Sequence, residues 1–459
     1  MAEGKVGLEV HTYIKTKEKL FCRCKAEHKN TKPNTFVCPI CTGQPGCKPM
    51  LPNSEAIKKA VKIALMLNFK INTAEKGKKI IWQRKHYNWP DLPKGYQDTM
   101  SGSYSIPIGE AGNFLNIKMR EMHLEEDPAA WDPVTGCIDY NRSGIPLVEI
   151  VTEPDFKTAD EVIHWLKQLI LTLSYIKAIE KDAGIKVDVN VSSGGERIEI
   201  KNLNSLLNIR QAINFEFSRQ KKEKVITRET RRFDSVKGIT IKMREKEQAE
   251  DYRFIPDPDL PIVEIKNQIV NELKKQIPES PQQKLAKIIS KYKIDKKNAE
   301  ILTNNFELAE FFEKVASKIE PNFALPWVTI ELLRVLNWNK KTLESENVNI
   351  NPEHFIELLK LVKEKKLTEL KAKQILNGFI PRSFSPLTQL KKTERITDKK
   401  EIESICLKVI STNKQAIQDY KSGKKEALDF LMGEVMKLSQ RRADYKTARE
   451  VLEKLLRAR

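Results

Sequence analysis

Ile255-Pro-Asp-Pro-Asp-Leu-Pro-Ile262 is the stretch at which this 459-residue chain changes character. Its three prolines each fix φ and remove a backbone donor, so neither a helix nor a central strand runs through it. Residues 1–268 hold 15 of the 18 Gly and 15 of the 22 Pro, the punctuation of short strands and turns, and the last 191 residues hold only 3 and 7. In the first part β-like runs recur at Gly4–Tyr13, Phe114–His123, Leu147–Thr152, Val187–Ser192, Arg197–Lys201 and Ile239–Arg244. Helical patterns include Ser54–Leu67 and Thr158–Ile176, the latter with Val162, Trp165, Leu166, Leu169 and Ile170 at helical spacing. A parallel sheet would need strand and helix to alternate regularly, and they do not. The first part therefore reads as α+β with a mainly antiparallel sheet.

Beyond the break the pattern is helical, as in Ser280–Tyr292, Pro326–Leu336 and Glu353–Lys363, the last with Phe355, Leu358, Leu359 and Val362 on one face. Gly378–Pro386 and the charged stretch that follows to Lys400 read as a linker to a small helical piece containing Glu401–Ser411, Lys424–Leu438 and Lys446–Leu456. The expected domains are thus 1–268, an all-α 269–392 and a C-terminal helical tail, 393–459. No repeat of 20–50 residues interrupts this plan.

The chain carries 81 Lys and Arg against 62 Asp and Glu, a net charge of +19, with 40% apolar and 31% charged residues. Apolar content at that level suits a folded rather than a disordered chain. The excess base points to a polyanionic partner, which Lys and Arg bind by displacing counterions, although a solvated Lys-rich surface has the same composition. Residues 269–459 carry +12 of that charge, so if a nucleic acid is bound the helical half would supply much of the attraction. No run of 18 apolar residues occurs and the start lacks the apolar core of a secretory signal, so a cytoplasmic protein is expected.

Six of the seven Cys precede residue 138. Cys22-Arg-Cys24 and Cys38-Pro-Ile-Cys41 form two close pairs thirteen residues apart, a spacing one tetrahedral Zn²⁺ can gather from two short turns. A four-thiolate site has no open position, so its role would be structural. Cys47 is a spare that can replace one of the four, and Cys137 and Cys406 read as packing residues.

Acidic groups at strand ends carry the chemistry of the first part. Glu9 and His11 are two apart and share one strand face. Glu125, Glu126 and Asp127 follow a strand-like run, and Glu149 interrupts the apolar Pro146-Leu-Val-Glu-Ile-Val151, where burial is costly unless a partner or cation compensates. Such hard oxygen donors suit Mg²⁺. Glu126 and Asp127 taken singly read as ion-pair partners of neighbouring bases, and Glu149 does not. Asp188 and Asn190 alternate on one strand face, and Lys201, Asn202, Asn204 and Ser205 end another. Arg84, Tyr87, Tyr96 and Gln97 bracket the stiff Trp89-Pro-Asp-Leu-Pro93 turn, which could hold a phosphate or a ribose. There is no GxxxxGK[ST], so any ATP binds without that loop. No Cys/His or Ser-Lys nucleophile stands out, so the chain is not expected to release ammonia from an amide by itself.

Taken in order, GLEVH at 7–11, the CRC and CPIC pairs, TGQPG at 42–46, RKHY at 84–87, PDLPKGYQ at 90–97, HLEED at 123–127, DYNRSGIPLVEIVTEPD at 139–155, KNLNS at 201–205, ETRRFD at 229–234 and DYRFIPDPDLP at 251–261 resemble the B-subunit family of the tRNA-dependent amidotransferases. The helical remainder, with DYKSGKKEALDFLMGEVMK at 419–437, is similar more loosely. Trp89 stands where the family pattern has Tyr, and Cys47 and Lys48 alter the segment after TGQPG; neither removes a proposed ligand. A related subunit specific for Glu-tRNA(Gln) carries a large inserted domain for which this chain is too short. The cysteine pairs, absent from many bacterial members, fit an archaeal-like one, with zinc shaping the N-terminal loop.

The resemblance implies an enzyme subunit, a carbon-nitrogen ligase with glutamine as nitrogen donor. Its first domain, a cradle spanning 1–268 with a zinc loop at 20–47, would use ATP to phosphorylate the side-chain carboxylate of Glu-tRNA(Gln) or Asp-tRNA(Asn). Ammonia from a glutaminase (amidase) partner subunit would then displace the phosphate, and a small third subunit is expected. Matched motif to motif, Glu9, His11, Glu125 and Glu149 would hold the catalytic Mg²⁺ or line the ammonia exit, with Lys201 beside them. Asp188, Asn190, Asn202 and Asn204 would complete the pocket, and Arg84, Tyr87 and Arg253 would lie near the nucleotide or the aminoacyl end. The tail would grip misacylated tRNA. The rival expectation is a non-catalytic zinc-containing RNA-binding protein, which explains charge and cysteines but gives the acids no purpose.

Overall fold

Alternation along the first strand decides which side of the sheet meets water. In β1 (Lys5–Tyr13) Val6, Leu8, Val10 and Thr12 are buried, whereas Glu9, His11 and Tyr13, pointing the other way, stay partly open. The computed structural model describes residues 4–87, 89–179, 184–223, 227–245, 253–389, 395–424 and 426–457. The chain forms two compact units, residues 1–280 and 281–459.

The first unit adds β2 (Lys70–Ile71), β3 (Gln83–His86), β4 (Gln97–Thr99), β5 (Gly109–Phe114), β6 (Ile117–Glu126), β7 (Ala130–Trp131), β8 (Ile138–Asp139) and β9 (Pro146–Thr152). It continues with β10 (Ile185–Ser192), β11 (Ile198–Leu203), β12 (Glu229–Asp234), β13 (Ile239–Glu245) and β14 (Arg253–Pro256). Ten of these line up as β13-β12-β11-β10-β1-β9-β6-β4-β3-β14, with β5 branching from β6 and β2 from β5, while β7 and β8 form a separate pair. Every pairing is antiparallel except β11 with β12, and that parallel step is bridged by a helix, as such steps require. The α+β reading with a mainly antiparallel sheet holds.

Among the described residues four α-helices accompany the sheet: α1 (Ser54–Met66), α2 (Ala159–Tyr175), α3 (Leu206–Lys222) and α4 (Asn267–Lys275). The Asn53 side chain accepts from the amides of Glu55 and Ala56 to start α1. Thr158 and Glu161 form a reciprocal capping box at the start of α2, satisfying donors that a helix end leaves orphaned. The apolar faces of the helices pack with Leu8, Val10, Val148, Ile150, Leu124 and Val189 in one core. Trp165 is central to it: the indole is 2% exposed, meets Phe114 and Phe156 edge-on, and donates from Nε1 to the Phe114 carbonyl at 2.9 Å. Leu273 of α4 joins the same core and α4 packs on α1, so the first unit runs past the Pro-rich break to residue 280.

The second unit is helical throughout its described residues, with two apolar clusters, one spanning residues 288–379 and one spanning 396–456. Helices at Pro281–Tyr292, Pro352–Lys363, Lys399–Thr412, Glu426–Leu438 and Tyr445–Arg457 match the periodicity in the sequence. Gly378–Pro386, expected as a linker, is instead packed into this unit. Phe379 is fully buried, and Asn349 and the strap exchange backbone bonds through Pro381 and Ser383. Its prolines end a helix without detaching the chain. The expected boundary at 392 lies outside the described residues. No helix among those described is long and apolar enough to cross a membrane.

Trp165→Ala is expected to destabilise the first unit by about 3–5 kcal/mol, and Thr158→Ala, which removes only a cap, by about 1 kcal/mol. Urea unfolding monitored by far-UV circular dichroism would show the two midpoints well separated; equal shifts would contradict this account of the core.

Candidate active site and metal centre

The sheet face turned away from the helices is polar, and its centre forms a cleft of about 610 Å³. Register brings its groups together. His11 on β1 lies opposite Glu149 on β9, which lies opposite His123 on β6, so three adjacent strands place an imidazole, a carboxylate and an imidazole in one row. His123 Nε2 is 2.9 Å from Glu149 Oε2 and 3.4 Å from Glu125 Oε1, and His11 Nε2 is 3.6 Å from Glu149 Oε2. Glu125 also accepts from Thr99 Oγ1 at 2.7 Å and Gln97 Nε2 at 3.1 Å.

A second row lies one step along. Glu9 pairs in register with Asp188 on β10 and accepts from Asn190 Nδ2 at 3.1 Å. Lys201 Nζ bridges Asp188 at 2.8 Å and Glu199 at 2.9 Å. The β10–β11 register shifts here, and Asn202, at φ +60°, turns its amide onto Asp188 Oδ1 at 2.7 Å. Asn tolerates that left-handed conformation better than most side chains. Ligating atoms of His11, Glu125 and Glu149 lie within 4.8 Å of one another, as do those of Glu9, Asp188 and Glu199.

Charge in the cleft follows from burial and neighbours. For His123 burial disfavours the imidazolium, but Glu149 and Glu125 outweigh it and raise the group to about 10. Burial would raise Glu149, yet His123 and His11 hold it well below the usual carboxylate range. Glu9 moves the other way, raised by burial and then by Glu149. The floor is therefore a carboxylate that its flanking imidazoles hold ionised, beside a carboxyl group raised by its burial and then by its acidic neighbours.

Glu9, His11, Tyr87, Glu125, Glu149, Asp188, Lys201 and Asn202 all line this cleft. Asn190 reaches it through Glu9, on the edge of a smaller neighbouring hollow. Arg84, Asn204 and Arg253 do not line it. Arg84 is held by Asp257 at 2.8 Å and Asp259 at 2.9 Å and lies over the Tyr96 ring; Asn204 and Arg253 are exposed. Glu126 and Asp127 pair with bases, Lys94 at 2.5 Å and Arg142 at 3.0 Å. Sequence reasoning gave His123 no role, although its spacing from Glu125 is the same two-residue step that united Glu9 with His11.

The four spaced cysteines converge. Cys22 and Cys41 are buried, Cys24 and Cys38 partly so, and all four Sγ atoms lie within 4.8 Å of one another, with Cys38 and Cys41 at 3.9 Å. Zn–S bonds of about 2.3 Å in a tetrahedron put sulfurs about 3.8 Å apart, so the group could hold a metal such as zinc. Cys41 is drawn down to about 5, first by its hydrogen bond with the Cys22 thiol, which is itself pushed up. Cys47 lies outside the group. Cys406 is buried as expected, but Cys137 is exposed, because it sits at the turn between β7 and β8 rather than in a core. One equivalent of thiophilic metal should accompany the purified chain and be lost in Cys41→Ser, while Cys47→Ser and Cys137→Ser keep it; metal analysis showing the reverse would exclude this ligand set.

Residues 4–271 match a family model described as the GatB/GatE catalytic domain, and residues 310–456 match one described as a GatB domain. The chain is 41% identical, over 100% of its own length and 99% of the relative's, to the B subunit of the aspartyl/glutamyl-tRNA(Asn/Gln) amidotransferase of Methanopyrus kandleri. To the proteins of the same name from Methanothermobacter thermautotrophicus and Methanocaldococcus jannaschii it is 42% and 40% identical, covering 96% and 98% of this chain and 97% and 98% of theirs. The chain belongs to the B-subunit family of the aspartyl/glutamyl-tRNA(Asn/Gln) amidotransferases.

Proposed function

We propose that this chain is the ATP-dependent carboxylate-activating subunit that amidates Glu-tRNA(Gln), Asp-tRNA(Asn) or both. The observation that carries this reading is that His11, Glu149, Glu9, Asp188 and Lys201 line a single cleft, with buried His123 bonded to Glu149 from behind. Two anionic reactants, a carboxylate and a phosphate chain, must meet there, and an acidic floor would repel both. A hard divalent cation removes the conflict. Oxygen atoms of Glu9, Glu125, Glu149 and Asp188 suit Mg²⁺, and the raised carboxyl of Glu9 is what a bound cation would relieve. When bound, Mg²⁺ supplies charge neutralisation for the transferred phosphoryl group.

The chain's own residues do the positioning. His11 and His123 keep Glu149 ionised and fix its direction; imidazole is a poor ligand for Mg²⁺, so His11 serves as a clamp. Lys201 and Asn202 hold Asp188. Lys85 and Lys186 line the cleft and bring positive charge to the anionic reactants. The substrate carboxylate attacks the γ-phosphorus of ATP, ADP leaves, and the resulting acyl phosphate is an electrophile that ammonia can open with loss of phosphate. Ammonia is assigned to a glutaminase partner subunit, because among the described residues no Ser or Cys lines this cleft. A small third subunit, a structural zinc at Cys22, Cys24, Cys38 and Cys41 and a cytoplasmic setting complete the reading. A non-catalytic RNA-binding protein would have no use for carboxylates buried where phosphates approach.

With the co-purified amidase partner, amidation of both misacylated tRNAs is the decisive assay. Glu149→Ala should lower turnover by about 10²–10³-fold with tRNA affinity retained; undiminished amidation would remove Glu149 from the site. We assign tRNA binding largely to the tail. Deleting residues 395–459 should weaken tRNA binding and flatten its salt dependence, as read by filter binding from low to moderate salt, while the first unit stays folded. Unchanged affinity would refute that role.

A further inference from the structure

Lys19 is 1% exposed, yet among the described residues no carboxylate pairs with its ammonium. Its Nζ has two partners, the Tyr140 carbonyl at 3.0 Å and Cys41 Sγ at 3.5 Å. A buried ammonium without a counter-charge is expensive, and the group in reach that can carry one is the sulfur. The Lys19 main chain is tied to the same place: its amide donates to the Cys24 carbonyl at 3.0 Å, and the amide of Leu20 donates to the Gly144 carbonyl at 2.7 Å. Four thiolates around one divalent ion leave a surplus of negative charge, which a cation bonded to one sulfur offsets.

From Cys41 the bonding continues to the cleft. Ser143 Oγ donates to the Cys41 carbonyl at 2.7 Å. Gly144, at φ +80°, lies so that a Cβ there would stand 3.8 Å from both Cys41 Cβ and Lys19 Cδ. The Gly144 amide donates to the Asp127 carbonyl at 2.9 Å, and the Asp127 amide donates to the Ile145 carbonyl at 2.8 Å. The Asp127 carboxylate, on the cleft wall, then takes Arg142 Nε at 3.0 Å and Tyr13 OH at 2.6 Å. Resting on the reading of the four cysteines as a zinc site, we propose that Lys19 is the counter-ion of that centre and a positioning residue, coupling metal occupancy to the wall formed by Asp127, Arg142 and Tyr13.

The test uses the full chain and zinc alone. Lys19→Met should bind zinc about 10–100-fold more weakly than wild type, measured by competition with a chromophoric chelator. A zinc-selective chelator should lower the thermal midpoint of wild type more than that of Lys19→Met, because only wild type is left with an unpaired buried ammonium. In wild type, chelation should also speed hydrogen exchange at the amides of Asp127 and Gly144, a readout that needs no variant to fold. A wild-type chain that binds no zinc overturns both the metal reading and this proposal. Stoichiometric zinc with equal affinity in the variant, or with unchanged exchange on chelation, overturns the proposal alone.

Discussion

A carboxylate placed in the middle of a sheet and held between imidazoles from the strands on either side is the constraint on which the rest depends. Glu149 fixes the register of β1, β9 and β6 at once, because a slip by one residue would turn His11 or His123 into the apolar core and leave the carboxylate facing a hydrophobe. With that register set, the remaining polar pairs fall into place: Glu9 opposite Asp188, and Thr99 opposite Glu125. The same alternation sends Leu8, Val10, Val148 and Leu124 to the helices, so core and cleft are two faces of one decision. Removing Glu149 would cost more than a contact, since buried His123 would lose its nearest carboxylate and His11 its only paired one among the described residues.

Much of this was legible locally. The i, i+2 spacing of Glu9 and His11, the interruption of an apolar run by Glu149 and the two cysteine pairs each announced themselves within a few residues. Three of the strands that escaped notice, Gln83–His86, Gln97–Thr99 and Glu229–Asp234, are short and almost wholly polar, because their side chains face the cleft or form ion pairs rather than pack. Their strand character is a tertiary fact with no apolar period to betray it. Cross-strand partnership was equally invisible: nothing near residue 149 says that residues 11 and 123 will flank it. Lys19 is the extreme case, one lysine in a chain rich in them, distinguished only by what closes around it.

The distribution of charge gains a physical meaning from the same geometry. The net +19 is not spread as a uniform coat. In the first unit many bases are spent: Arg142 on Asp127, Lys94 on Asp98 and Glu126, Arg84 on Asp257 and Asp259, Lys201 on Asp188 and Glu199. Neutralised within the unit, and at Asp127, Asp188 and Lys201 on the cleft wall itself, these bases do little to advertise it to distant polyanions. The helical half, with +12, supplies the longer-ranged attraction that a large anionic partner would feel first.

Strand β1 has both its neighbours far downstream, at Pro146–Thr152 and Ile185–Ser192. On the ribosome this strand emerges before either partner and finds none until well over a hundred further residues have followed, at about 5–20 residues per second. For those seconds an apolar strand carrying Val6, Leu8 and Val10 stands with both edges open, a template for wrong pairings. Its nascent form is therefore a natural client for holding chaperones, and fragments ending before residue 146 would be insoluble rather than partially active.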